Sequence, residues 1–378
     1  MSGLRKIIVS ALVLTFAAVQ GLANHDDEHA KSHDEHQEEE FKAGEMIMHH
    51  IADAHQIHFL TLGHNTPEEK HVAINLPVIL LGENGLEVFG SGHFYHHEKH
   101  LDQGHGYEHG NYIMVDEVIY TKNAEGELTY GENGEILNDK PLDFSITKTV
   151  VGLLLTTIII LLVLISVGRA YKKKGYKAAP SGIQSLMEPL IVFVEEQIIV
   201  PSVGSREKAA KFTPFLLTVF FFIWIANLLG LMSFIGGYNV MGSISVTLVL
   251  AFFVFVITNI NGNKHYWKHI FWPDGVPLPI KFILVPIEAV QIILKPLVLM
   301  IRLTANITAG HIIILAFTAL IFIFGQGNPA VGYGVGIGST LFMVFMFFIE
   351  LLVAFLQAYV FTLLSSLYFG SAVEEAHH

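Results

Sequence analysis

Polar and apolar positions divide the chain near residue 145. Before it, β-prone apolar runs are short and separated by turn residues; after it, they are long enough to cross a bilayer. Val150–Val167 is the first such run, and Arg169, Lys172, Lys173, Lys174 and Lys177 follow at once, which puts this end on the cytoplasmic side. Pro180–Val200 is interrupted by Glu188, Glu195 and Glu196, so the pattern predicts an amphipathic helix at the cytoplasmic face rather than a span. Phe212–Ile235 and Ser243–Ile260 are the next two spans, the latter ending in the basic Lys264, His265, Lys268 and His269. Ile280–Phe324 then runs without a turn signal, a length that requires a strongly tilted, bent or broken helix. GQGNPAVGYGVGIG reads as the turn into a last long helix, Thr340–Phe369. The expected fold is all-α and polytopic, with five crossings, a long C-terminal hairpin and a short cytoplasmic tail at 371–378.

The N-terminus changes this picture. Arg5 and Lys6, an apolar stretch Ile7–Val19 and the small-residue site Gly21-Leu22-Ala23 form a signal-peptide pattern, with cleavage after Ala23. Export of residues 24–145 agrees with the orientation set by the basic cluster at 169–177. The exported part carries 25 Asp and Glu against 6 Lys and Arg, and 16 of the 21 histidines. Within it, residues 25–40 (HDDEHAKSHDEHQEEE) are too poor in apolar groups to offset their ordering entropy, which predicts disorder. From Ile74 to Thr147 the runs NLPVILL, LEVF, NYIMVDEVIY and ELTY, with turn signals at Glu83-Asn84-Gly85 and Glu132-Asn133-Gly134, predict a small β-hairpin domain. The chain has no cysteine, which excludes disulfide and thiolate chemistry.

Charges inside the long apolar runs carry the candidate chemistry. Arg302 has no acidic residue within ten positions on either side. A charge at bilayer depth costs roughly 2.5–3.5 kcal/mol on insertion scales, so it calls for a function or a partner. At about 100° per residue Arg302 shares a helical stripe with Lys295, Glu288 and Asn306, whereas His311 lies about 180° round. Glu350 is the only acid between Glu288 and Glu374, and Gln357 shares its helix face. An intramembrane carboxyl and imidazole suit a proton relay, because burial moves both groups toward the working pH. Arginine stays charged and cannot join such a relay. A counter-ion for Arg302 is therefore expected on another chain.

These residues fall in a recognisable order: TVFFFIWIANLLGL at 218–231, Pro286-Ile287-Glu288, Lys295-Pro296, IRLTANITAGH at 301–311 and ELLVAFLQAYVF at 350–361. The pattern covers 146–370 and resembles subunit a of the F-type ATP synthase, the stator channel of a rotary proton motor. The resemblance implies that Arg302 faces the carboxylates of a c-subunit ring and separates two half-channels, with Asn306 and Gln357 as polar neighbours. It implies that Glu350 and His311 line the half-channel open to the exported side, and that Glu288 lies toward the cytoplasmic outlet. Many bacterial relatives carry the acid on the first of these helices and the histidine on the second; here they are exchanged, an arrangement similar to the mitochondrial one. The second-span motif is followed by Met232-Ser233 where a proline is frequent. The implied partners are the c ring, peripheral-stalk b subunits and membrane lipid in a bacterial inner membrane. No nucleic acid, nucleotide or cofactor is expected, and no phosphate loop of the GxxxxGK[ST] type is present.

Two other classes remain at this level. A secondary ion transporter would show repeated halves or paired broken helices. A membrane-anchored metal-binding or sensor protein would use the extension, where His25, His29 and His33 form i,i+4 pairs. The first lacks a repeat, and the second leaves Arg302, Glu350 and Gln357 unexplained.

Overall fold

The structure is a computed structural model and describes residues 44, 52–62, 70–82, 85–95, 98–101, 104–131, 134–175, 179–232, 236–273, 275–327 and 329–375. The signal segment, the His-rich run at 25–40 and its i,i+4 histidines lie outside these residues.

Among the described residues the β-prone runs form nine antiparallel strands in three small sheets. β1 (Gln56–Leu62) pairs with β2 (Lys70–Asn75); β3 (Pro77–Gly82) lies between β4 (Gly85–Gly90) and β9 (Leu142–Asp143); β5 (Glu98–Leu101), β6 (Gly104–His109), β7 (Tyr112–Val115) and β8 (Val118–Thr121) form a meander. The β region thus begins well before Ile74, and ELTY contributes only the isolated bridge Tyr130–Ile136. Val78, Leu80, Phe94, Tyr112, Met114 and Ile119 form its core. NYIMVDEVIY is two strands joined at Asp116-Glu117, whose φ values of 48° and 63° are unusual for residues other than glycine. Glu117 holds this turn through its carboxylate: it accepts the backbone N–H of His55 at 3.0 Å and the Tyr95 hydroxyl at 3.0 Å. His55 is buried between two acids, Nδ1 3.3 Å from Glu117 and Nε2 3.4 Å from Asp143.

Among the described residues the helical part has four helices long and apolar enough to cross a membrane, or five counting one bent pair. α1 (Lys148–Lys174) is followed by α2 (Ile183–Phe193), which passes through a π-helical segment at Val194–Ile199 into a last turn at Val200–Val203. α3 (Arg206–Leu231) starts at a Ser205 cap that accepts from the Lys208 N–H. α4 (Ile244–Ile260) and α5 (Lys264–Phe271) meet at 103°. The basic end expected for the third span is therefore a helix of its own, started by the Asn263 cap on Tyr266. α6 (Leu278–Gly327), with Pro286 and Pro296 inside it, and α7 (Pro329–Val373) form the hairpin.

The glycine-rich GYGVGIG, read as part of a turn, is helical. A Cβ on Gly332 would stand 2.6 Å from the Gly325 Cα, so the two helices touch backbone to backbone, as small residues allow in membrane packing. Half of the apolar window of α3 is buried, against 6% for α6 and 11% for α7. α3 is the centre of the bundle, and most of the hairpin surface is left uncovered by the described residues.

The β region is fastened to the start of α1. Thr147 makes no side-chain cap of its own; instead Asp53 accepts the Thr149 N–H and the Thr147 hydroxyl, both at 2.9 Å, and Ala54 O accepts the Lys148 N–H. Ile57 and Leu76 join the same buried cluster as Tyr238 and Val240 of the α3–α4 loop. The opposite end of the bundle is tied by Lys208 to Glu375 at 2.8 Å, by the Arg206–Glu196 pair and by the Asn263 N–H on Ala372 O.

Candidate functional site

Arg302 sits on α6 with its side chain exposed, and among the described residues no ion pair involves it. Asn306, one turn on, is exposed too. Leu303, beside it in sequence, is buried against the bundle, and Thr304 shares a 2.7 Å hydroxyl contact with Thr247 of α4. The guanidinium is thus carried on the outer side of a helix whose inner side is pinned.

Glu288 and Lys295, placed on the same stripe by helical spacing, are half-buried and turn toward other elements. Lys295 stands with its Nζ 5.8 Å from the Tyr368 ring and lines a small space with Asn259, Tyr266 and Ser371. Glu288 is in electrostatic reach of Tyr266. Both lie on the N-terminal half of α6, nearer the end of the bundle that holds α5 and the C-terminus.

His311 and Glu350 come together on the other side of the hairpin. They line one cavity of about 420 Å³ that also borders Leu231, Thr340 and Phe347. A second, narrow space of about 20 Å³ links both to Asn227, Asn306 and Gly310. That is room for one water molecule. Glu350 is 9% exposed, and its Oε1 has no hydrogen-bond partner among the described residues. The same is true of Asn227 Oδ1, while Asn227 Nδ2 donates to Ala354 O at 3.3 Å. Two unpaired buried acceptors on one narrow space make it a polar passage in an apolar bundle. Gln357 is buried two turns beyond Glu350 and is not among the residues lining these two spaces.

Sequence reasoning paired His311 with Glu350 and set Asn306 beside Arg302; the structure lines one narrow space with all three and adds three groups that went unread. Asn227 sits within the quoted 218–231 motif, where an asparagine in an apolar helix was the available signal. Gly310 and Gly230 provide the space: a Cβ on Gly310 would meet Glu350, and one on Gly230 would stand 3.7 Å from His311 Nε2. Lys148 and His58 also line the larger cavity, and neither carries a local signal. Among the described residues no cluster of His, Asp or Glu is arranged to hold a metal ion.

The helical part of the chain matches the family model described as ATP synthase A chain over residues 150–370. Residues 46–144 match a separate model, a domain of unknown function called DUF8433. Among curated proteins, ATP synthase subunit a 2 of Prosthecochloris aestuarii is 35% identical over 315 residues, covering 81% of this chain and 93% of the relative. ATP synthase subunit a 2 of Chlorobaculum tepidum is 42% identical over 235 residues, 61% of this chain and 64% of the relative. ATP synthase subunit a of an Anaeromyxobacter species is 33% identical over 343 residues, 89% and 71% of the two chains. With its motifs in order over the whole helical part, the chain belongs to the ATP synthase A chain family.

Proposed function

We propose that this chain is the proton-translocating stator subunit of a rotary ATP synthase, a multi-pass protein of a bacterial inner membrane. Family membership supports the stator role, and with it a channel subunit that leaves nucleotide chemistry to other subunits. The observation that carries the residue assignment is Arg302, exposed and without an ion pair among the described residues, on a hairpin that these residues largely leave uncovered, with His311 and Glu350 lining a cavity behind it. On this reading a ring of c subunits covers the hairpin and brings its carboxylates past Arg302. The fixed charge keeps each passing carboxylate ionised and blocks direct passage of protons between half-channels. Glu350 and His311 serve the half-channel on the side of the β region, with Asn306 and Asn227 at its inner end. Glu288 marks the outlet at the other end, and Gln357 is a polar neighbour of the path. The acidic, His-rich extension at 24–145, which includes the β region, is periplasmic, the membrane domain spans 146–370, and the C-terminus is cytoplasmic, where α2 lies along the membrane surface. Peripheral-stalk b subunits and lipid contact the remaining surface.

Moving one charge through the membrane releases roughly 2.3 kcal/mol per 100 mV, so several protons drive each ATP and a leak is costly. ATP-driven acidification of proteoliposomes holding the complete complex tests this. Arg302→Ala, with all subunits present, is expected to abolish pumping; retained pumping overturns the assignment.

A further inference from the structure

The cavity behind His311 and Glu350 does not end within the helical bundle. Its lining continues to Lys148 in the first turn of α1, to Gly236 and Asn239 in the α3–α4 loop, and to His58 of β1. β1 belongs to the region matched as a domain of unknown function, outside the residues matched by the ATP synthase A chain model. Ile57 is 3% exposed against the bundle while His58 beside it is exposed, and an irregularity in the β1 register between His58 and Leu60 lets both His58 and Phe59 line the cavity. The attachment is tight. A Cβ on Gly236 would stand 2.9 Å from Ile57 Cγ2, and Asp53, three residues before Gln56, caps α1 beside Lys148. Asp53 and Glu117, both from the β region, are the carboxylates in electrostatic reach of Lys148. The wall at this end therefore contains an imidazole and an ammonium, with acids behind the latter. About 420 Å³ is ample for a chain of water molecules.

We propose that the β region forms the outer wall of the entry half-channel, so that protons reach Glu350 and His311 past His58 through a vestibule roofed by β1. This rests on the stator reading given above and adds to it a role for the region that lies outside the ATP synthase A chain model. A roof anchored by a helix cap and a glycine contact stays in place while the ring turns. It also makes the access path narrow and polar where an uncovered bundle would open directly to solvent.

The test uses the complete complex in proteoliposomes and the absence of cysteine from this chain. His58→Cys and, as a second variant, Phe59→Cys place a thiol on the vestibule wall, and Val88→Cys places one on the exposed face of β4, away from the cavity lining. A membrane-impermeant cationic methanethiosulfonate is enclosed in the vesicle lumen during reconstitution, the side that carries the β region in complexes driven by external ATP, with the unsubstituted complex as background. Labelling at 58 or 59 is expected to lower ATP-driven proton transport roughly tenfold or more, because a bulky second cation beside Lys148 narrows the path and adds to the repulsion of the proton. Labelling at 88 is expected to leave the rate unchanged. Full labelling at 58 and 59 with unchanged transport, or no labelling there from that side, overturns the proposal. Arg302→Ala run in parallel separates the two readings: loss of pumping there, with no effect of labelling at 58 and 59, refutes the vestibule and leaves the stator standing.

Discussion

Gly310 on α6 faces Glu350 on α7 so closely that a Cβ on the glycine would stand 2.6 Å from Glu350 Oε1. Such a contact is impossible without displacing the carboxyl. Gly310→Ala is expected to lower coupled proton transport by about tenfold or more, the effect of roughly 1.4 kcal/mol on a barrier. Shortening the acid relieves the clash, so Gly310→Ala combined with Glu350→Asp should recover part of the rate. ATP-driven acidification of the single and double variants checks both, and equal rates for wild type and Gly310→Ala would show that the carboxyl position is not critical.

One carboxyl and one imidazole share the cavity, and the proposed relay needs both groups more than it needs their order. Exchanging them, as His311→Glu with Glu350→His, is expected to retain more transport than either change alone. Each single variant leaves two like groups on one cavity, and two buried carboxyls disfavour each other's ionised form. A double exchange slower than both singles counts against the relay.

His55 ties the β region to its own turn, and its protonation state sets how well. Burial alone would lower its pKa, but hydrogen bonds to Asp143 and Glu117 and their charges outweigh that and push it up to about 9 from 6.5. A pKa raised on folding adds stability fully present below pH 6.5 and lost as pH rises through 9, at most roughly 3 kcal/mol at 1.36 kcal/mol per unit. Asp143 is held below its ordinary range: burial would raise it, but its bonds to His55 and Ser145 prevail, so its share is lost as pH falls through the folded value. Amide exchange of β7 and β8 in the whole complex, corrected for intrinsic rates, should show the excess protection of wild type over His55→Gln shrinking between pH 6.5 and 9. A constant difference would mean that the imidazole charge is not involved.

Asp53 supplies the cap of α1 from 94 residues away along the chain. Asp53→Ala leaves the Thr149 N–H without this acceptor and is expected to destabilise the junction by about 1 kcal/mol, within the usual range for a lost cap. Asp53→Asn keeps an acceptor oxygen and should lose less. Thermal inactivation of the detergent-solubilised complex would rank the three, and an alanine variant as stable as wild type would remove the cap from the account.

Much of the helical architecture was legible because spanning length, lone charges and basic flanks are properties of consecutive residues. Arg302, Glu350 and His311 stood out in this way, and helical spacing placed Arg302 and His311 on different sides of α6. The glycine-rich segment misled for the opposite reason: glycine marks a turn when its backbone freedom is used, but Gly332 is used for close approach to Gly325. The Asp116-Glu117 turn was unreadable because it lacks glycine and asparagine; its positive φ values are held by bonds from Glu117 to His55 and Tyr95, which are distant in the chain.

Membrane character and the identity of the candidate functional charges came from one-dimensional quantities: the length of an apolar run and the free energy of a charge inside it. Which groups share a cavity depends on distances in space. Packing alone brought Asn227 and Gly310 to Glu350, set Asp53 on α1, and carried His58 from the β region to the rim of the space that His311 and Glu350 line. No periodicity or motif encodes such meetings, because they are made between elements by the burial of apolar faces that many sequences could share.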